Sequence, residues 1–215
     1  MSSHTFIPTI ALIGGIGSGK SAVANKLKTL RSVEVIDADQ IGHRILDFPE
    51  VQQNIREQFG TAVFDEHGKV NRSVLAKIVF GEETQHQESL KKLEKIVHPE
   101  IHRVLEQEIL SAKTTKNVDA ILIDAAVILE AGWKELCDQI VFIECPFEQR
   151  LKRVTQNRGW SPAELEKREN QQLPLSEKRK LANYIIHNHD DNLEAAGQDL
   201  SQFIEVLHKR QKTNN

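Results

Sequence analysis

Short apolar runs alternate along the chain with stretches in which apolar residues return every three or four positions, a pattern that predicts an α/β protein. Ile10, Leu12 and Ile13 form a run that suits a buried parallel strand. Val23, Leu27 and Leu30 recur at helical spacing and predict a helix over residues 20–30 with one face on the sheet. Val33, Val35 and Ile36 predict a second strand, ending in Asp37-Ala38-Asp39. Ala120–Asp124 and Gln139–Glu144 return to branched apolar runs of parallel character, and Tyr184, Ile185 and Ile186 supply a short last strand. The final helix carries an apolar stripe through Leu193, Leu200, Phe203, Ile204 and Leu207, and the polar residues after His208 are expected to be disordered.

Residues 40–118 carry no strand pattern. Ile41, Ile45 and Leu46 open a helix, and Val51, Ile55 and Phe59 continue on a four-residue period to Gly60, a C-cap. The segment Asp65-Glu66-His67-Gly68-Lys69 reads as a turn. Val74 to Phe80 and Leu90 to Val97 read as helices, and Pro99, after His98, is expected to restart a helix whose apolar face holds Ile101, Val104, Leu105 and Ile109. So long a helical insertion between two strands suits a cap over a sizeable acceptor.

The densest chemistry follows the first strand. In Gly14-Gly15-Ile16-Gly17-Ser18-Gly19-Lys20-Ser21, the spacing G-x-x-x-x-G-K-[ST] is met without a gap, between a strand and a helix. The glycines let the backbone approach a phosphate and turn N–H groups inward, while the helix start adds its positive end. Gly15, Gly17, Ser18, Gly19, Lys20, Ser21 and Ala22 are the expected nucleotide-binding set. Lys20 would reach the β and γ oxygens, and Ser21 would hold Mg²⁺. A plain glycine-rich turn is the alternative, and the strand-loop-helix context argues against it. Asp37 and Asp39 end the second strand at the sheet edge where ligands bind, and Asp124 ends an apolar strand as a Walker B acid would.

From Phe147 to Gln172, Arg150, Lys152, Arg153, Arg158, Lys167 and Arg168 gather around the capping box Ser161-Pro162-Ala163-Glu164. A solvated helix pair is the bland reading. A lid whose arginines close on a triphosphate is the sharper one, and phosphoryl transfer gains most from charge so placed.

Composition narrows the class. The 215 residues are 39% hydrophobic and 27% charged, which fits one globular α/β domain with a helical subdomain. Lys plus Arg total 28 against 31 Asp plus Glu, a net charge of −3, so a general nucleic-acid surface is not expected. The opening residues read as leaderless and no apolar run reaches membrane-spanning length, which together predict a cytoplasmic protein with no membrane partner. Cys137 and Cys145 are too few for a disulfide framework, and no C-x-x-C or His/Cys cluster with zinc-like spacing appears. The sequence carries no signal for an oligomeric state.

Taken together, these residues resemble the dephospho-coenzyme A kinase family. The resemblance rests on the phosphate loop, Asp37-Ala38-Asp39 with Ile41 and His43, Phe59-Gly60, Gly68, Arg72 and Leu75. It continues through His98-Pro99-Glu100-Ile101, Leu129-Glu130 and Gln172-Leu173-Pro174-Leu175 with Lys178. It implies a P-loop NTPase-type sheet of five parallel strands flanked by helices, a helical acceptor-binding insertion and an arginine-bearing lid. The implied boundaries are 1–39, 119–146 and 173–208 for the nucleotide-binding core, 40–118 for the acceptor region and 147–172 for the lid. It also implies transfer of the ATP γ-phosphoryl group to the ribose 3'-hydroxyl of dephospho-coenzyme A. In the family pattern Asp39 is the base and Lys20 and Arg158 the catalytic cations, with Arg153 a rival to Arg158; His43, Arg72, His98 and Glu130 fall on the acceptor side. The chain departs from the family pattern at Ala126-Val127-Ile128-Leu129-Glu130, where Pro-Leu-Leu-Phe-Glu is usual, at Asn157, which reads as an extra residue in the lid, and at Asn183, where an Asp is usual.

Two other classes stand as alternatives. A nucleoside or nucleotide monophosphate kinase shares the P-loop and arginine lid but lacks the long insertion with His98-Pro99. Against an ATP- or GTP-dependent switch, the chain has no Asn-Lys-x-Asp guanine-reading motif, and a basic lid suits transfer better than signalling.

Overall fold

The apolar runs become strands and the periodic stretches become helices in the computed structural model, which describes residues 6–81, 83–115, 117–189 and 192–213. In chain order these are β1 (Thr9–Ile13), α1 (Lys20–Lys28), β2 (Val33–Asp37), α2 (Ala38–Ile45), α3 (Pro49–Phe59), α4 (Arg72–Val79) and α5 (Thr84–Thr115). There follow β3 (Ala120–Asp124), β4 (Gln139–Glu144), α6 (Phe147–Arg158), α7 (Pro162–Glu169), α8 (Leu175–Leu181), β5 (Tyr184–His187) and α9 (Leu193–Thr213). The opening through Thr5, on which the leaderless reading partly rests, lies outside the described residues.

The chain divides into two compact units, residues 1–37 with 108–215, and residues 38–107. In the first, all strand pairings are parallel and the order is β2-β3-β1-β4-β5. Every residue of β1 is buried, as a central parallel strand requires. Ile10, Leu12, Leu122, Val141 and Ile143 pack with Val23 and Leu27 of α1 and with Leu200, Phe203 and Ile204 of α9. The strand order reverses around β1, which puts the loop after β1 at the switch point where such sheets bind ligands. Asn183 takes over the place of the usual Asp with its amide: Oδ1 accepts from Ile140 N at 2.8 Å, and the Asn183 N–H donates to Ile140 O at 2.8 Å.

The second unit is helical, as its sequence predicts. Asn71 caps α4 by accepting from Val74 N, and Asp65 closes its turn by accepting from the N–H groups of His67 and Lys69. Pro99 does not restart a helix. It lies inside the continuous α5, where it removes one N–H donor while the ladder on either side carries the helix through.

One further expectation is corrected. The polar residues after His208 are helical to Thr213, because Lys, Arg and Gln are good helix formers and the Lys209–Glu205 pair at 2.7 Å supports that turn. α8 begins directly after Pro174 and carries Lys178, Arg179 and Lys180 in its last turn, cations suited to a helix C-terminus. Cys137 and Cys145 form no disulfide among the described residues, and burial above all, with the Asp138 and Glu135 charges, pushes Cys137 up to about 12.

Leu27 is fully buried between α1 and the sheet. Leu27→Ala should lower the unfolding free energy by roughly 2–5 kcal/mol, read by denaturant titration, with the far-UV circular dichroism of the native state unchanged.

Candidate active site

The loop between β1 and α1 takes its shape from glycine. Gly14 has φ 149° and a Cβ there would lie 2.6 Å from Ile143 O; at Gly17, φ 78°, a Cβ would lie 2.8 Å from Arg150 O. No side chain fits either place. Ser18 N donates to Gly15 O at 3.1 Å, and α1 starts at Lys20 with Gly19 left-handed at its N-cap.

The carbonyls of this loop are met one after another. Lys20 Nζ lies 3.4 Å from Gly14 O and 3.5 Å from Gly15 O. Arg150 Nη1 donates to Ile16 O at 3.3 Å. Arg153 Nη1 donates to Gly17 O at 3.3 Å and to Ser18 O at 3.2 Å, and Asn188 Nδ2 donates to Ser18 O at 2.8 Å. Arg150 is 4% exposed and pairs with Glu169 of α7, whose Oε1 also accepts from Ile16 N at 3.1 Å. The arginine-rich segment is therefore fastened to the loop it was expected to cover.

Gly17, Gly19, Lys20, Ser21, Ala22, Arg153, Asn157, Arg158 and Asn188 line one cleft of about 430 Å³. Most of the sequence-predicted nucleotide set thus converges there; Gly15 and Ser18 shape the loop behind it. Both rival arginines reach this cleft, in different states. Arg153 is held against loop carbonyls, while Arg158 is exposed at the end of α6 with its guanidinium 4.8 Å above the Trp160 ring, which also carries Arg168 at 4.2 Å.

Ser21 Oγ donates to the Asp124 carboxylate at the end of β3, and Asp124 is the register partner of Asp37. A hydroxyl and a carboxylate at a P-loop are the hard oxygen donors that suit Mg²⁺. Asp39 is exposed and sits in the first turn of α2, inside the helix rather than at its cap.

Glu130 accepts from Leu173 N at 2.9 Å and pairs at 2.8 Å with Lys178, which is 1% exposed. Lys178 also donates to Gln172 Oε1 at 2.9 Å and contacts Ala126 O at 3.3 Å. The altered segment after β3 thus folds into a network that ties it to α8.

In the helical unit, Arg72 Nη2 and His43 Nε2 meet at 2.6 Å beside a cleft of about 580 Å³, whose wall includes Leu46, Leu75, Val79 and Phe80. Burial lowers the pKa of His98 and so favours its neutral form, partly offset by the Glu94 charge.

Sequence reasoning missed Asn188 and the pairing of Arg150 with Glu169. Neither has a local signal, since Asn188 lies 170 residues from Ser18 and Glu169 lies 19 from Arg150, on the next helix.

The model of the dephospho-CoA kinase family matches residues 8–194. A dephospho-CoA kinase of Dehalococcoides mccartyi is 34% identical over 200 residues, covering 93% of this chain and 96% of that protein. A Thermus thermophilus crystal structure superposes with a TM-score of 0.76 at 31% identity, over 94% of this chain and 98% of that one. The dephospho-CoA kinase structure from Campylobacter jejuni gives 0.67 at 28% identity, over 94% and 98%.

Removing one member of a buried ion pair leaves the other charge uncompensated, at a cost of about 3–5 kcal/mol. Lys178→Met should therefore destabilise the protein by that order in denaturant titrations, and adding Glu130→Gln to it should restore part of the loss. A single variant as stable as wild type would show that the network carries no weight.

Proposed function

We infer the chemistry from the premise that the chain belongs to the dephospho-CoA kinase family. It is a kinase that transfers the γ-phosphoryl group of ATP to the ribose 3'-hydroxyl of dephospho-CoA, giving CoA and ADP, the final step of CoA biosynthesis.

The assignment of roles is our reading. The phosphate loop cradles the nucleotide with its inward N–H groups, and Lys20 swings from the Gly14 and Gly15 carbonyls to the β and γ oxygens. Ser21 and Asp124 would hold Mg²⁺, which supplies charge neutralisation across those two phosphates. Asp39 takes the proton of the 3'-hydroxyl as its oxygen attacks the γ-phosphorus and ADP departs. Arg158 is the lid arginine that meets the transferring group, because its exposed guanidinium is held by stacking alone among the contacts described, while Arg153 is engaged with the loop. Residues 147–172 act as the lid on a core of 1–39, 119–146 and 173–208.

Residues 40–118 receive the acceptor in this reading, with His43, Arg72 and His98 on its side; the meeting of His43 with Arg72 at a cleft supports it. Glu130 supports the acceptor site from the Lys178 network. No described helix is long and apolar enough to cross a membrane, and a cytoplasmic site of action without nucleic-acid partners completes the proposal. The observation that carries it is the loop itself, with the Ser21–Asp124 contact beside it.

Asp39→Asn should lower kcat at least a hundredfold in a coupled ADP-release assay, since a positioned base contributes about 10² to 10⁴, and a turnover near wild type would remove Asp39 as the base. Lys20→Ala should weaken ATP binding and turnover together, and unchanged kinetics would refute the phosphate-loop assignment. In the same assay dephospho-CoA should far exceed AMP, CMP and nucleosides as acceptor, and a preference for any of the latter would overturn the acceptor assignment.

A further inference from the structure

Beyond the kinase site, the carboxyl edge of the sheet carries a second cluster of ligating groups. β5 ends at His187, and His189 follows two positions on, with Asn188 between them. The side chain of Asn188 is committed to the phosphate loop through Ser18 O, while the two imidazoles come together with ring centroids 5.1 Å apart at 72°. Glu144, the last residue of β4, is the register partner of His187 and pairs with its Nδ1 at 2.8 Å. One ligand atom from each of Glu144, His187 and His189 lies within 4.8 Å of the other two.

Two details separate this cluster from a casual surface contact. His189 Nε2 is buried with no hydrogen-bond partner among the described residues, an unusual state for an imidazole nitrogen. The second oxygen of Glu144 accepts from Arg179 Nε at 2.9 Å, a partner of the sort that orients a ligating carboxylate and leaves its other oxygen to the metal. Two imidazoles and one carboxylate are a donor set for a borderline cation that leaves a fourth position open. The hard oxygens of Ser21 and Asp124 favour magnesium instead, so the two sets would select different ions.

We propose that Glu144, His187 and His189 form a binding site for one divalent cation of the zinc class, separate from the magnesium position at Ser21 and Asp124. The sequence concealed it because the third ligand lies 43 residues before the His-x-His pair. The site also adjoins the phosphate loop: Asn188, flanked by the two histidines, donates its N–H to Glu144 O at 2.8 Å and its side-chain amide to Ser18 O at 2.8 Å. A bound ion would stiffen the strand end that holds the loop.

The test uses the full chain, stripped with chelator and returned to excess Mg²⁺. Zn²⁺ is titrated in competition with a chromophoric chelator, and Co²⁺ is added separately to look for visible ligand-field bands. One equivalent of Zn²⁺ should bind, with affinity lower by roughly tenfold or more in His187→Ala, His189→Ala and the near-isosteric Glu144→Gln. The exposed His67→Ala should bind as wild type does. Melting curves in metal-free buffer identify any variant that fails to fold, and the wild-type Co²⁺ spectrum reports imidazole ligation without a variant. Absence of Zn²⁺ uptake by wild type, or uptake unchanged in His187→Ala/His189→Ala, would overturn the site. Neither result bears on the kinase assignment.

Discussion

A loop that turns its N–H groups toward an anion must turn its carbonyls away from it, and those carbonyls need partners of their own. This constraint organises the nucleotide-binding unit. The carbonyls from Gly14 to Ser18 are met by Lys20, Arg150, Arg153 and Asn188, drawn from α1, from α6 and from the end of β5. Three of the four partners are cationic, so the backing of the loop also raises the local positive potential for a polyphosphate. The parallel sheet serves the same end: its order brings the ends of β1, β3, β4 and β5 to one edge, from which these groups reach the loop.

Family membership supplies the reaction, and the geometry supplies reasons for particular residues. A serine on the loop and an acid at the end of β3 meet directly, although 103 positions separate them. The arginines of α6 divide their labour by depth: Arg150 is buried, Arg153 half-buried and Arg158 exposed. That gradient follows from helical periodicity, which turns 150 and 153 toward the loop while the helix end stays in solvent. Two places where the chain departs from the family pattern are hydrogen-bonded to their neighbours. The amide oxygen of Asn183 accepts from Ile140 N, and Glu130 is held by Leu173 N and Lys178.

Much of this was legible in the chain. The phosphate loop, the strands and the helical insertion are encoded by residues within a few positions of one another, where period and spacing are informative. Three kinds of feature were not. Pro99 reads locally as a helix start, yet flanking turns of good helix formers carry α5 through it. The tail after His208 looks polar enough to be loose, but polarity on a helix with i,i+4 ion pairs is compatible with order. Contacts such as Asn188 with Ser18, Glu130 with Lys178 and Glu144 with His187 join residues brought together only by the sheet, and no window of sequence contains both partners.

The shared use of Glu169 couples two positions on different helices. One carboxylate answers both a buried guanidinium in α6 and a backbone amide at Ile16, so positions 150 and 169 are not independently variable. Losing the acid alone strands a cation in the interior, and losing the arginine alone leaves the acid tethered to the loop without its counter-ion. A neutral pair matched in shape would escape both penalties, which ties what one position can hold to what the other does.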